Sequence, residues 1–109
     1  MKVKILNEEI DIQFCMAVEL AYERISGKPF DTTALATAEG RLALGMAAII
    51  SAKPDTEITI ERLLHEAKGS DIKALNDAVA ITLREWLDIP EVIAEQEAAK
   101  AEEGEQKKN

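Results

Sequence analysis

Residues 14–30 confine the fold of this chain more tightly than any other stretch. They read Phe-Cys-Met-Ala-Val-Glu-Leu-Ala-Tyr-Glu-Arg-Ile-Ser-Gly-Lys-Pro-Phe. Cys15, Val18, Tyr22 and Ile25 recur at i, i+3, i+7 and i+10, which puts them on one stripe of a helix over residues 15–26. Glu19 and Glu23 fall on the opposite side. Gly27 accepts the left-handed backbone that closes a helix, and Pro29 prevents its resumption. Phe30 then returns an aromatic ring to the core. A helix with so abrupt a stop needs other elements to cover its stripe.

The preceding residues supply one of them. Val3 and Ile5 point one way and Lys2 and Lys4 the other. Ile10, Ile12 and Phe14 again share a face. This alternation on both sides of Asn7-Glu8 predicts a β-hairpin turning at those two residues. A lone hairpin is marginal in water, so it must pack on the helices or on another chain.

Three further helices are predicted. The second spans residues 33–52, with Leu35, Ala38, Leu42, Met46 and Ile49 inward. Gly40 and Gly45 inside it each cost about 1 kcal/mol relative to Ala. Close approach of a neighbouring helix is one compensation, and a break near Gly40 is the alternative. The third spans residues 60–68. Thr59 is its N-cap, Ile58 and Leu63 form a hydrophobic staple, Leu63, Leu64 and Ala67 point inward, and Gly69 closes it. The fourth runs from residue 70 or 71 to residue 87, with Ile72, Leu75, Val79, Leu83 and Trp86 inward. Asp88 and Glu91 mark a further N-cap. Ala94 to Asn109 carries no large apolar residue and reads as a frayed, disordered, charged tail. The fold class is therefore mainly α: a four-to-five-helix domain over residues 1–93 with a short N-terminal hairpin, and a tail over residues 94–109.

At 109 residues the chain matches one small domain. Thirteen basic residues stand against 21 acidic ones, a net charge of −8. That balance repels phosphate backbones, so no nucleic acid is expected as a partner. A single cysteine suits a reducing compartment. The longest weakly polar run, residues 42–52, is too short to span a bilayer, so no membrane association is expected. The chain reads as soluble and intracellular.

Few residues suggest reaction chemistry. Cys15 lies on an apolar stripe and reads as a small buried thiol. His65 reads as a surface histidine. One cysteine and one histidine fall short of a zinc site, and Asp55 with Glu57 reads as a solvated loop. Glu19 and Glu23 read as surface charges. No catalytic residue, metal ligand or cofactor is assigned. Residues 60–87 also fit a helix-turn-helix, with only Lys73 and Asn76 suited to reading bases. Partner binding remains, at the hairpin edge around Val3 and Ile5, at an apolar ridge of Trp86 with Ile89, Val92 and Ile93, for which core packing is the competing reading and fits Trp86 better than Val92, and at the acidic tail.

The order of elements resembles that of small phage tail assembly chaperones. The likeness covers residues 9–93. It rests on the alternating stretch ending at Phe14, the helix Ala17-Val-Glu-Leu-Ala-Tyr-Glu-Arg-Ile, and Ser26-Gly-Lys-Pro-Phe-Asp. It continues in the alanine-rich helix ending Lys53-Pro-Asp, the Ile-Thr-Ile-Glu-Arg-Leu-Leu segment and a last helix with a charged extension. The resemblance implies a non-enzymatic protein of the bacterial host cytoplasm, absent from the finished virion. It implies binding to the tape-measure protein, the tail-tube protein or both before the tail polymerises. Self-association stays open. The alternative is a small helical regulatory or adaptor protein, DNA-associated or not.

Overall fold

A computed structural model of the chain describes residues 1–87. Among them run β1 (Lys2–Ile5), β2 (Glu8–Asp11), α1 (Met16–Ser26), a 3-10 turn (Thr32–Ala36), α2 (Ala38–Ala52), α3 (Ile60–His65) and α4 (Gly69–Leu87). The fold is mainly helical with a two-stranded N-terminal hairpin, as the periodicities predict. The Asp88 cap, the boundary at residue 93 and the tail over residues 94–109 lie outside the described residues.

The hairpin is antiparallel, with Val3 opposite Ile10 and Ile5 opposite Glu8. Its turn is Leu6-Asn7, one residue earlier than the alternation predicts. Both turn residues have positive φ, 49° and 68°. Either position of the turn keeps Val3, Ile5, Ile10 and Ile12 on one face, so the alternation does not distinguish them. The observed one packs half-buried Leu6 against the core and leaves Glu8 on the core-facing side. The pairing extends to Met1 and Ile12 through a 2.8 Å bond from the Ile12 N–H to the Met1 carbonyl. The Met1 ammonium also lies 2.7 Å from Asp11 Oδ1.

α2 is the central helix. Ala43 through Ile49 are all buried, which marks a helix covered on every side. α1, α3, α4 and the 3-10 turn pack around it, and α4 also lies against β1. A narrow stripe is therefore the wrong picture of this helix: Met46 and Ile49 are buried, Leu42 is half-buried and Ala38 is exposed. Gly45 permits the approach of α4, since an added Cβ would stand 2.7 Å from Leu75 Cδ2. Gly40 serves a different neighbour. A Cβ there would collide with the Ala34 carbonyl of the 3-10 turn.

The predicted second helix is in fact split at Thr37. The Thr37 hydroxyl accepts the Gly40 N–H at 3.0 Å and caps α2. Asp31 caps the 3-10 turn by accepting the Thr33 N–H at 2.8 Å. Arg41 donates to the Leu35 carbonyl at 3.0 Å and holds the turn against α2.

α1 starts at Met16, and Cys15 is its extended N-cap without a side-chain capping bond. Cys15 is exposed, so it is not the buried thiol that its place on the stripe suggests. Gly27 closes the helix at φ 71°, and its N–H donates to the Glu23 carbonyl at 2.9 Å. The Glu23 carboxylate accepts the Phe30 N–H at 3.1 Å, so this residue fastens the turn as well as facing solvent.

Phe30 completes a chain of aromatic contacts. Its ring meets Phe14 at 5.4 Å and Tyr22 edge-on at 5.7 Å, and Phe14 meets Trp86 at 5.2 Å. These are all four aromatic residues of the sequence. They tie the exit of the hairpin, α1, the following turn and the end of α4 together. Trp86 stays 38 % exposed beside Phe14, at the margin of the core rather than within it.

Thr59 caps α3 by accepting the Arg62 N–H at 3.2 Å, and Ile58 and Leu63 are both buried as the staple requires. The helix is shorter than predicted. One and a half turns bring Leu63 inward and leave Leu64 56 % exposed, against the predicted inward placement. Gly69 opens α4 instead of closing α3. The Asp71 carboxylate accepts the Lys68 N–H at 3.0 Å and fixes that start. Thr82, buried in α4, satisfies its hydroxyl on the Ala78 carbonyl at 2.8 Å. No helix among the described residues is long and apolar enough to cross a membrane.

Candidate functional site

A groove of about 540 Å³ lies where the chain leaves α2 for α3, lined by Ile25 from α1, Met46 and Ile50 from α2, Pro54 and Ile58 from the connecting segment, and Ile60 at the start of α3. Each is placed by a local device already described. Ile25 precedes the Gly27 stop. Ile50 lies just beyond the buried run of α2 and is exposed. Ile58 and Ile60 flank the Thr59 cap. Ile25 and Ile60 also border a second hollow of about 510 Å³, whose walls include Lys28, Asp31, Thr33 and Glu39.

The connecting segment is held from the hairpin. Thr56 Oγ1 donates to Glu8 Oε1 at 2.7 Å, and the Glu57 N–H donates to Glu8 Oε2 at 3.3 Å. Lys53 Nζ adds an ion pair to Glu8 at 3.1 Å. The Ile58 N–H donates to Thr56 Oγ1 at 3.1 Å, which carries the clamp to the groove wall. The Thr56 hydroxyl does most to hold the Glu8 carboxyl below the usual glutamate range; burial opposes it, and the bond and charge of Lys53 and then the Glu57 N–H add to the lowering.

The predicted site residues fare differently. Ile5 is fully buried and belongs to the core, so it offers no surface to a partner. Val3 is half-buried and packs against the same core. Ile89, Val92 and Ile93 lie outside the described residues. The groove itself was not predicted. Its signal in the sequence was Ile50, which stands off the predicted α2 stripe, followed by Pro54, Ile58 and Ile60 at a polar-looking connection.

Other candidates are scattered. Exposed Cys15 caps α1, and exposed His65 ends α3 with Nε2 3.4 Å from Glu61 Oε2. Lys73 is paired with Asp77 at 2.6 Å, and Asn76 lies at a small crevice between α2 and α4. Among the described residues no three His, Cys, Asp or Glu side chains converge as a metal site would need. No protein-family model matches the chain, and no curated protein or solved structure matches it either.

Proposed function

We propose that this chain is a non-enzymatic tail assembly chaperone of a long-tailed phage or prophage. In this reading it holds an apolar segment of the tape-measure protein, the tail-tube protein or both in the host cytoplasm, and leaves before the virion is complete. The observation that carries the proposal is the groove: Ile50, Ile60 and Ile25 border an open, mostly apolar hollow on the surface. A long helical rod exposes an apolar stripe until the tube covers it. A groove of this kind masks such a stripe by burying it, while the net charge of −8 keeps the complex dissolved. The order of elements that resembles tail assembly chaperones supplies the biological setting.

Co-expression with the tape-measure and tail-tube proteins of the same genome tests the reading. The expected result is a complex on size-exclusion chromatography with at least one of them, weakened by Ile50→Asp. Ile50 is exposed, so this change spares the core. No complex with either protein defeats the chaperone reading. A complex that Ile50→Asp leaves intact but Val92→Asp with Ile93→Asp abolishes moves the contact to the predicted ridge.

A further inference from the structure

We propose that the second hollow, between the end of α1, the 3-10 turn and α2, binds a small uncharged molecule with an apolar body and one hydrogen-bond-accepting oxygen. This goes beyond the chaperone reading and does not depend on it, since only Ile25 and Ile60 line both this hollow and the groove. Its volume of about 510 Å³ falls within the roughly 300–1,000 Å³ of small-molecule sites.

The residue that carries the proposal is Tyr22. It is 5 % exposed, and its ring stands edge-on against Phe30 at 5.7 Å, a contact that orients the ring. Among the described residues its hydroxyl has no hydrogen-bond partner. No sealed side-chain polar atom among them is left unsatisfied, so this hydroxyl is not sealed: it opens on the hollow that Tyr22 lines. Phenylalanine would make the same ring contact without taking a hydroxyl out of water, so packing alone does not account for a tyrosine here. The phenol presents a positioned donor to whatever enters.

The rest of the lining sets the character of the ligand. Ile25, Leu42, Ala43 and Ile60 are apolar and receive an apolar body. The charged lining residues Lys28, Asp31 and Glu39 are exposed and stand at the mouth. Lys28 faces Glu39 at 4.0 Å, and Asp31 accepts the Thr33 N–H at 2.8 Å. Two acids against one base give no surplus positive charge to draw an anion. Beneath them the neutral Tyr22 hydroxyl supplies no charge to offset the desolvation of an ion of either sign.

The test titrates the full chain with three probes, followed by amide shifts: 1-indanone, indane, and indane-1-carboxylate. Indane keeps the two rings without the oxygen, and the carboxylate adds a charge. Saturable shifts are expected at lining residues such as Ser26, Ala34 and Ala43. 1-Indanone is expected to bind about three- to tenfold more tightly than indane, the scale of one neutral hydrogen bond, and more tightly than the carboxylate. Tyr22→Phe keeps the ring against Phe30 and is expected to remove the preference for 1-indanone while leaving indane binding unchanged. No saturable binding of 1-indanone, shifts away from the hollow, or a preference that survives Tyr22→Phe overturns the proposal. Tighter binding of the carboxylate overturns the assignment of an uncharged ligand.

Discussion

Glu8 and Thr56 stand 48 residues apart in the chain and share a 2.7 Å hydrogen bond in the fold. One belongs to the hairpin, the other to the wall of the apolar groove. Glu8 reaches across because the Leu6-Asn7 turn puts it opposite Ile5, on the face that looks toward the helices. Its carboxylate is only 16 % exposed and takes bonds from Thr56, Glu57 and Lys53. The hairpin thereby sets the position of residues 53–58, which in turn set the shape of the groove.

Glu8→Gln is therefore expected to loosen the groove wall before it unfolds the domain. Hydrogen exchange at the Glu57 and Ile58 amides should quicken, while exchange in the middle of α2 stays slow. Thr56→Val should produce the same pattern. The double variant should lower the thermal midpoint by less than the sum of the single effects, since both remove the same bond. Additive effects would mean that the two side chains act separately.

Acid should weaken the fold, and the sign follows from three carboxyls. Glu8 is held low by Thr56 first and then Lys53, Asp11 by the hydrogen bond and charge of the Met1 ammonium, and Asp31 by the N–H and then the hydroxyl of Thr33. Each binds a proton less readily folded than unfolded. Their contribution is fully present above the unfolded carboxyl range, roughly pH 4, and is lost as pH falls through the lower folded values. Thermal midpoints are expected to be flat from neutral pH down to that range and to drop below it. Combining Glu8→Gln, Asp11→Asn and Asp31→Asn should flatten the acid limb. An unchanged limb would trace acid sensitivity to other groups.

The sequence exposed the parts of this fold that depend on local periodicity. Val18 and Tyr22 sit in the core, Gly27 closes α1, and Thr59 with Ile58 and Leu63 starts α3, because each of these is decided within a few residues. What it hid depends on distant neighbours. Cys15 fits the stripe, but the helix begins after it, so it stays exposed. Thr37 breaks the second helix because the 3-10 turn folds back onto Gly40. Ile5 reads as a core-facing strand residue, but the cover that α4 gives β1 comes from far along the chain, so the sequence alone leaves the hairpin edge open to a partner. The groove was hidden for the same reason: its walls come from α1, α2 and the segment before α3, and no single stretch carries its pattern.

The two glycines of α2 should respond differently to alanine. Alanine gains about 1 kcal/mol in helix propensity at either position. At Gly45 the obstacle is the tip of the Leu75 side chain, which can rotate, so Gly45→Ala is expected to fall within about 1 kcal/mol of the parent. At Gly40 the obstacle is the Ala34 backbone carbonyl, and the 3-10 turn must move. Gly40→Ala is expected to destabilise by about 1–3 kcal/mol in chemical denaturation. A Gly40→Ala protein as stable as Gly45→Ala would show that the turn is free to shift.

Phe14 is the junction of the aromatic chain, touching Phe30 on one side and Trp86 on the other. It is buried at the point where the hairpin passes into α1, so its removal opens a cavity shared by the hairpin exit, the turn after α1 and the end of α4. Phe14→Ala is expected to cost about 3–5 kcal/mol, with Phe14→Leu costing less because more of the volume is kept. Trp86 is the sole tryptophan, so its emission reports directly on this contact. Loss of the Phe14 ring should leave the indole more hydrated and shift its emission to the red under conditions where circular dichroism still shows a folded chain. Tyr22→Phe keeps the ring that meets Phe30 and should leave the emission unchanged. A large stability loss without a shift in emission would mean that Phe14 acts through Phe30 and α1 alone, and that the end of α4 is held by Leu83 and its other buried neighbours.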